Sequence, residues 1–376
     1  MAPARFTDQD RSFMKKALRL AAKGAGYVSP NPMVGCIIVS ADGKVIGKGY
    51  HERFGKAHAE INALNSVRDH AALVGATLYV TLEPCSHQGK TPPCAVALSK
   101  LPLKRVVTAM VDPNPAVSGR GLKILEQAGI QTETGLLEEE AVKLNEAFIH
   151  YIRYNKPFVT LKIAQTLDGY IAAPDGNSEW ISGEESRRLV HEWRSRYDAV
   201  LVGRNTALLD NPRLTVRLTE GRQPRRIVID GPLSLPRNLN LFSDQFEEKT
   251  VVITYNREKY NETADPMLKM LQPDYFRGET HLVARLNGHC DLDHAFDLLA
   301  ESGISSILVE GGRDLSSALI GGNMVDKIHV FIAPKLLGGG TRSVMNLGID
   351  RMQEVMNLHN TNWEPSGSDI LFTGYF

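Results

Sequence analysis

The chain has 376 residues, and its 43 lysines and arginines are balanced by 43 aspartates and glutamates. This length predicts two or three domains, and the balanced charge argues against a nucleic-acid partner, because dedicated nucleic-acid binders usually carry a basic stripe. The longest apolar stretches, such as residues 34–39, are far shorter than the ~20 residues that span a bilayer. We therefore expect no membrane partner.

The compartment is predicted from the amino terminus and the cysteines. No apolar core of signal-peptide length follows Met1. Four cysteines in so long a chain do not make a disulfide framework. Cys36 is expected in the core and Cys290 in a loop. The sequence therefore indicates a cytoplasmic protein in a reducing environment.

The first 150 residues alternate short apolar strands with amphipathic helices, a pattern typical of an α/β layer structure with a mixed or parallel sheet. The predicted strands are 34–39, 78–82 and 105–110, and the predicted helices are 58–67, 94–99 and 121–128. Asn155-Lys156-Pro157 then interrupts a polar helix, so we predict a domain boundary near residue 150, with domains 1–150 and 151–376.

The second half is predicted to be α/β as well, and no fixed-period repeat relates it to the first. Its predicted strands are 158–162, 199–202, 226–229, 251–254, 306–310 and 327–332.

One histidine and two cysteines in the first half have the pattern of a catalytic zinc site. His58 opens a predicted helix, Cys85 follows a strand, and Cys94 follows Pro92-Pro93 at a predicted helix start. Three protein ligands leave the fourth zinc position open for water. Glu60 lies two residues from His58, so it can carry protons instead of binding the metal. This arrangement matches the zinc deaminases of nucleobases.

The segment around the two cysteines also allows other interpretations. A structural zinc site would need a fourth protein ligand, for which His87 is the nearby candidate, although we favour it as a substrate contact. The general deaminase signature spaces its cysteines as C-x-x-C, whereas eight residues separate Cys85 from Cys94 here. Lys90, within that insert, could bind an anionic substituent or could be a solvated loop lysine.

The long insert indicates the family. The segments 29–35, 58–60 and 83–94, together with His51, closely resemble the bacterial bifunctional deaminase–reductases of riboflavin biosynthesis. The resemblance covers nearly the whole chain. It implies a cytidine-deaminase-like α/β/α sandwich followed by a dihydrofolate-reductase-like α/β domain. It also implies Zn²⁺ on His58, Cys85 and Cys94 with Glu60 catalytic, and a pyrimidine and ribose-phosphate pocket lined by Asn31, His51, His87, Lys90 and Thr91.

The second half offers weaker signals by itself. Glu310-Gly311-Gly312-Arg313 joins a predicted strand to a predicted helix, and glycines at such a turn let a phosphate approach backbone N–H groups. A tight structural turn explains them equally well. The second glycine cluster, at 338–340, could simply be a flexible loop.

The resemblance also implies the residues of the second site, through segments 161–172, 178–182, 203–206 and 210–217. The paired donors of two arginines suit a phosphate. The sugar phosphate would be held by Ser178, Arg194, Leu214, Arg217 and Glu310. NADPH would be held by Ala164, Trp180, Thr206, Asp210, Gly312, Arg313, Asp314, Leu315, Ser316, Ser317 and Ala318.

The function implied is two consecutive steps of riboflavin biosynthesis on small-molecule substrates. The first half would deaminate 2,5-diamino-6-(5-phosphoribosylamino)pyrimidin-4(3H)-one, and the second would reduce the ribosyl chain to ribityl with NADPH, giving 5-amino-6-(5-phosphoribitylamino)uracil. A homo-oligomer is also implied. A second hypothesis is a tRNA or nucleoside deaminase, which predicts short cysteine spacing and, for tRNA, basic charge. A third is a zinc-stabilised binding module without activity, against which Glu60 argues.

Overall fold

The structure is a computed structural model that describes residues 5–86, 92–115, 117–264 and 276–376. It divides into two units, Met1–Asn155 and Lys156–Phe376. The boundary predicted near residue 150 lies within the last helix of the first unit, which runs to Tyr154 and ends where Asn155 adopts a left-handed φ of 51°. Among the described residues, no helix combines the length and apolar character needed to cross a bilayer.

The first unit contains a sheet and helices that alternate with its strands. The strands are β1 (Gly35–Val39), β2 (Val45–Tyr50), β3 (Thr77–Val80), β4 (Arg105–Thr108) and β5 (Gln131–Thr134). The helices are α1 (Asp8–Ala21), α2 (Ala59–Asn65), α3 (Cys94–Leu98), α4 (Arg120–Gln127), α5 (Glu138–Leu144) and α6 (Glu146–Tyr154), with 3-10 turns at Ala22–Gly24 and His70–Leu73.

The sheet of the first unit is mixed, with the strand order β2-β1-β3-β4-β5. Strand β1 is antiparallel to both of its neighbours, while β3, β4 and β5 run parallel. Every residue of β1 is buried, as expected for a central strand that forms the core. The predicted strand segments of this half are all present, but β2 and β5 were not predicted.

Two glycines bring helix α2 unusually close to strand β2. A Cβ atom at Gly47 would lie 2.7 Å from the carbonyl oxygen of Ala63, and one at Gly49 would lie 2.6 Å from that of Ala59. Real Cβ atoms essentially never approach backbone this closely, so glycine is required at both positions. The same glycines break the apolar pattern of the strand, which explains why β2 was missed.

The second unit is larger, and its strands and helices largely alternate along the chain from Phe158 onwards. Its helices are α7 (Glu184–Arg196), α8 (Arg204–Asp210), α9 (Asn240–Ser243), α10 (Arg257–Ala264), α11 (Leu292–Glu301) and α12 (Arg313–Gly321), with 3-10 turns at Glu247–Lys249 and Met352–Glu354. Its strands are β6 (Phe158–Thr166), β7 (Tyr170–Ala172), β8 (Ala199–Gly203), β9 (Arg225–Ile229), β10 (Thr250–Thr254), β11 (Glu279–Leu282), β12 (Arg285–Leu286), β13 (His289–Cys290), β14 (Ser306–Val309), β15 (Lys327–Ala333), β16 (Thr341–Arg342), β17 (His359–Ser366) and β18 (Asp369–Tyr375).

The main sheet of the second unit has the order β11-β10-β9-β8-β14-β6-β15-β18-β17. Its strands are parallel from β11 to β15, and the carboxy-terminal hairpin of β17 and β18 adds an antiparallel edge. Hydrophobic clusters cover both faces of the parallel part, as parallel sheets require. The predicted α/β organisation of both halves is confirmed, and the carboxyl ends of β8, β9, β10 and β14 meet at one edge, where ligands bind in open α/β sheets.

Candidate active sites

Three predicted metal ligands converge in the first unit. His58 caps the amino end of α2, Cys94 is the first residue of α3, and Cys85 lies in the loop after β3. The Nδ1 atom of His58 lies 3.5 Å from the Sγ of Cys85 and 3.4 Å from that of Cys94, and the three ligand atoms all lie within 4.8 Å of one another. Tetrahedral Zn²⁺, with Zn–S of about 2.3 Å and Zn–N of about 2.0 Å, needs ligand atoms about 3.5 Å apart. The three residues fit a zinc ion.

Helix α3 fixes the two cysteines relative to each other. The backbone N–H of Cys94 donates to the Sγ of Cys85 over 3.3 Å, and that of Ala95 donates to the Cys85 carbonyl over 3.1 Å. The hydrogen bond from the Cys94 thiol lowers the pKa of Cys85 to about 4, while the same contact raises the pKa of Cys94. One thiolate therefore exists near neutral pH, and thiolate is the form that binds metal.

Glu60 lies beside this site and is buried, with 3% of its surface exposed. Burial disfavours its charged form and raises its pKa to about 7. A carboxyl group with this pKa can take up and release a proton near neutral pH, as a general acid and base must. The geometry therefore places a proton carrier next to a three-ligand metal site.

Two predicted substrate residues of this unit form a pair near His58. The His51 ring, 2% exposed, lies 5.5 Å from the His58 ring between centroids. Its Nδ1 lies 3.1 Å from the carbonyl oxygen of Ala57, and because that oxygen can only accept, the ring proton is on Nδ1. Nε2 is therefore unprotonated and accepts from the Asn31 amide over 3.3 Å. The predicted contacts His87, Lys90 and Thr91 lie outside the described residues.

Sequence reasoning missed a residue that holds the loop of Asn31 in place. The side-chain amide of Asn145 accepts from the backbone N–H of Met33 over 2.8 Å and donates to the Met33 carbonyl over 3.0 Å. Asn145 is buried and lies 112 residues away in sequence. Its only sequence signal is an asparagine among the charged residues of a polar helix, so the contact could not have been predicted.

The second unit has a cavity of about 930 Å³ at the carboxyl edge of its sheet. Two of the residues that line it, Arg204 and Tyr255, were not predicted as site residues. Three predicted cofactor residues do not line it: Ala164 lies in β6, Ser316 is buried, and Trp180 is 62% exposed. The predicted residues that do line it are Ser178, Thr206, Asp210, Gly312, Arg313, Asp314, Leu315, Ser317 and Ala318.

The glycine turn after β14 faces this cavity. Gly312 caps the amino end of α12, and its N–H donates to the hydroxyl of Thr206 over 3.1 Å. Helix α12 has nine residues, so its unpaired N–H groups and its dipole present positive charge to the cavity. The turn fits a phosphate group, which was one of the two interpretations of this segment.

The predicted substrate arginines lie in a second cluster, in which Arg194 and Glu310 are half-buried and Arg217 is exposed. Arg194 donates to both carboxylate oxygens of Glu310, from Nε over 2.6 Å and from Nη2 over 2.9 Å, and from Nη1 to the Thr215 carbonyl over 3.1 Å. Arg217 donates to the Thr215 hydroxyl over 2.8 Å, and the Nζ of Lys162 lies 4.0 Å from Glu310. The cluster therefore holds three cationic side chains and one carboxylate.

For the Glu310 carboxylate, the effect of the neighbouring cations on the pKa is larger than the effect of burial. Burial alone would raise the pKa of Glu310, but Arg194 and Lys162 lower it to about 2. Partial burial and the like charge of Arg194 lower the pKa of Arg217. Excess positive charge of this kind suits an anionic substituent. Leu214, also predicted here, is buried and has a left-handed φ of 53°.

Two family descriptions match the chain, one for each unit. Residues 7–110 match the "Cytidine and deoxycytidylate deaminase zinc-binding region", and residues 157–372 match the "RibD C-terminal domain". Zn²⁺ is the cofactor of the deaminase family, and NADPH is the cofactor of the reductase family.

Relatives of nearly equal length are known. "Riboflavin biosynthesis protein RibD" of Aquifex aeolicus is 43% identical, with 96% of this chain and 97% of the relative covered, and that of Escherichia coli is 39% identical, with 96% and 98% covered. Among solved structures, RibD of Acinetobacter baumannii is 34% identical with a TM-score of 0.85. The Thermotoga maritima diaminohydroxyphosphoribosylaminopyrimidine deaminase/5-amino-6-(5-phosphoribosylamino)uracil reductase is 39% identical with a TM-score of 0.84, and 98% of each chain is covered in both comparisons. The chain therefore belongs to the RibD family, the bifunctional deaminase–reductases of riboflavin biosynthesis, with a zinc-binding deaminase domain followed by a reductase domain.

Proposed function

We propose that the first unit hydrolyses the ring amine of 2,5-diamino-6-(5-phosphoribosylamino)pyrimidin-4(3H)-one. The observation that carries this proposal is the three-ligand set of His58, Cys85 and Cys94 beside the buried Glu60. Zn²⁺ held by the three ligands would supply Lewis acidity that makes water a nucleophile near neutral pH. Glu60 accepts the proton of that water at a carboxylate oxygen and then delivers a proton to the departing amine, which leaves as ammonia.

The side chains around the metal ligands would orient the pyrimidine ring. Asn31 and His51 already form a fixed pair, because Ala57 holds the His51 ring from its other side. We assign both to the substrate pocket, together with His87, Lys90 and Thr91. This assignment rests on the family resemblance and on the position of Asn31 and His51 next to His58.

The deaminase proposal is tested with Glu60→Gln and Cys85→Ser. The glutamine keeps all three metal ligands but cannot carry protons, so zinc content should stay at the wild-type level while ammonia release is lost. Cys85→Ser should lose zinc and ammonia release together. NADPH oxidation with supplied second-step substrate should persist in both variants. Ammonia release by Glu60→Gln at the wild-type rate would refute the assignment.

We propose that the second unit reduces the ribosyl chain of the deaminated product to ribityl. Bound NADPH would supply the hydride, and the protein supplies position and charge. The cofactor would be held by the turn at Gly312 and by the cavity-lining residues Thr206, Asp210, Arg313, Asp314, Leu315, Ser317 and Ala318. Ala164, Trp180 and Ser316 are assigned to it by resemblance. The cluster of Arg194, Arg217 and Glu310, with Ser178 and Leu214, would hold the sugar phosphate.

The phosphate assignment is tested with Arg217→Ala. Among the described side chains, the Arg217 guanidinium donates only to the Thr215 hydroxyl, so it is available for a ligand. Arg194, by contrast, is paired with Glu310. We expect KM for the phosphorylated substrate to rise about 10- to 100-fold, the range of a lost charged hydrogen bond. The same substrate without its phosphate should be turned over equally by wild type and variant. Equal KM values for the phosphorylated substrate would contradict the assignment.

We also propose that the chain works in the cytoplasm and self-associates. None of the four cysteines is in a disulfide, which supports a reducing compartment. The edge strand β17 is exposed along its length up to Pro365, and Trp363 is 61% exposed on it. An exposed edge strand is a template for pairing with another chain. Sedimentation of wild type and Trp363→Glu tests this, since self-association through β17 should be weakened in the variant.

A further inference from the structure

We propose that Arg204 recognises the 2′-phosphate of NADPH and so sets the preference of the reductase unit for NADPH over NADH. The proposal rests on the proposed reductase function and deepens it. Arg204 follows β8 as the first residue of α8, and it lines the cavity of the second unit. Its side chain is 37% exposed, so the guanidinium is accessible to a ligand in that cavity.

The turn after β9 holds the Arg204 guanidinium in place. Its Nε donates to the hydroxyl of Ser234 over 3.0 Å and lies 3.6 Å from Oδ1 of Asp230. Asp230 is itself fixed, because its Oδ2 accepts from the backbone N–H groups of Ser234 and Leu235 over 2.7 and 2.8 Å. Its buried Oδ1 has no hydrogen-bond partner among the described residues, so it serves to attract Arg204. Both of these contacts use Nε, and among the described residues nothing pairs with its two terminal amino groups, which are left to face a ligand.

The order of strands places Arg204 at the adenosine end of the cavity. The cluster that would hold the reacting sugar includes Lys162 of β6 and Glu310 after β14, so the nicotinamide must lie on that side of the cavity. The glycine turn at Gly312 follows β14 and suits the two phosphates that join the halves of the cofactor. Arg204 lies beyond it, between β8 and β9.

An aromatic side chain supports the same direction. Tyr255, which comes directly after β10, lines the cavity on the far side of β9, where its ring could contact an adenine base. An extended dinucleotide with its nicotinamide beside Glu310 therefore brings its adenosine ribose toward Arg204.

The chemistry of Arg204 distinguishes the two cofactors. NADPH carries a phosphate on the adenosine ribose where NADH carries a hydroxyl, and a guanidinium makes paired, charge-assisted hydrogen bonds to phosphate. Arg313 is the other arginine among the described residues that line the cavity, but it belongs to the first turn of α12 and its Nε lies 3.3 Å from Asp314. Arg313 is thus placed near the phosphates that both cofactors share, and it serves as a matched control.

The test is calorimetric binding of NADP⁺ and NAD⁺ to wild type, Arg204→Gln and Arg313→Gln. We expect Arg204→Gln to weaken NADP⁺ binding about 10- to 100-fold, the range of a lost charged hydrogen bond, and to change NAD⁺ binding by less than about threefold. Arg204→Lys, which keeps the charge, should recover part of the NADP⁺ affinity. Arg313→Gln should affect both dinucleotides alike.

Several outcomes would overturn the proposal. Equal losses for NADP⁺ and NAD⁺ in Arg204→Gln would place Arg204 on a shared part of the cofactor, and unchanged affinities would remove it from the site. A selective loss in Arg313→Gln alone would assign the 2′-phosphate to Arg313. If wild-type protein bound neither dinucleotide, the reductase assignment itself would fail, whereas wild-type binding of NADP⁺ with an unaffected Arg204→Gln would refute only the role of Arg204.

Discussion

Replacing Arg226 by methionine should destabilise the second unit strongly. Arg226 lies on β9 and is 1% exposed. Its guanidinium donates to the Asp244 carboxylate over 2.7 Å, to the Thr250 hydroxyl over 2.8 and 3.1 Å, and to the carbonyls of Leu241 and Arg213 over 3.1 and 3.2 Å. Methionine fills most of the same space without any donor.

The expected magnitude follows from the groups left unpaired. A buried acceptor without its donor costs about 1–3 kcal/mol, and the Arg213 carbonyl loses its donor from Arg226, whereas the Leu241 carbonyl keeps a hydrogen bond from the Thr250 hydroxyl. Breaking a buried ion pair by removing one partner costs about 3–5 kcal/mol. Because Asp244 is 17% exposed and can be partly rehydrated, we expect a total loss of about 4 kcal/mol. For a unit of this size, this corresponds to a Tm lowered by roughly 10 °C.

The assay uses tryptophan fluorescence during denaturant unfolding. The three tryptophans, Trp180, Trp193 and Trp363, all lie after residue 155, so their fluorescence reports on the second unit alone. Arg225→Met is the matched control, because the neighbouring Arg225 pairs with the half-exposed Glu279 and such surface pairs contribute about 1 kcal/mol or less. A midpoint for Arg226→Met equal to that of Arg225→Met would refute the reasoning.

Three further predictions follow from the described contacts. Burial lowers the pKa of His191 to about 4, below the 6.5 of an unfolded histidine, so the unfolded state binds more protons between these two pH values. The second unit should therefore lose up to about 3 kcal/mol of stability as the pH falls from 6.5 to 4. His191→Gln can still accept from the Arg217 N–H and should lose this pH dependence in tryptophan-monitored unfolding. Asn145→Ala should lower the Tm of the first unit and raise KM for deamination, since Met33 loses both of its hydrogen bonds, and unchanged values would contradict the role given to Asn145. Removing zinc with a chelator should abolish ammonia release while NADPH oxidation continues, and added zinc should restore it.

Much of the fold could be predicted from apolar patterns, because the central strands are nearly continuous runs of buried residues. Strand β1 and strands β8 and β14 were predicted to within one or two residues for this reason. Strand β17 gives no such signal, because its residues are exposed up to Pro365. Its position in the sheet depends on pairing with β18, which local sequence does not reveal.

The candidate sites show the same division between local and distant information. The metal ligands could be predicted because each lies at the end of an element that the sequence marks, such as the prolines before Cys94. The bidentate pairing of Arg194 with Glu310 joins residues 116 positions apart, and only the sheet order brings them together. Arg204 was part of a recognised motif, but its position in the cavity depends on the turn that contains Asp230.

The close approach of α2 to β2 has a consequence for how the first unit tolerates variation. His58 and Glu60 lie at the first turn of α2, directly above the part of the strand where Gly49 leaves no room for a methyl group. Alanine at position 49 would push that turn away and spoil the spacing of the metal ligands, although residue 49 is not itself one of the ligands. A saturation mutagenesis scan selected for growth without riboflavin should therefore find position 49 as intolerant as the ligands themselves.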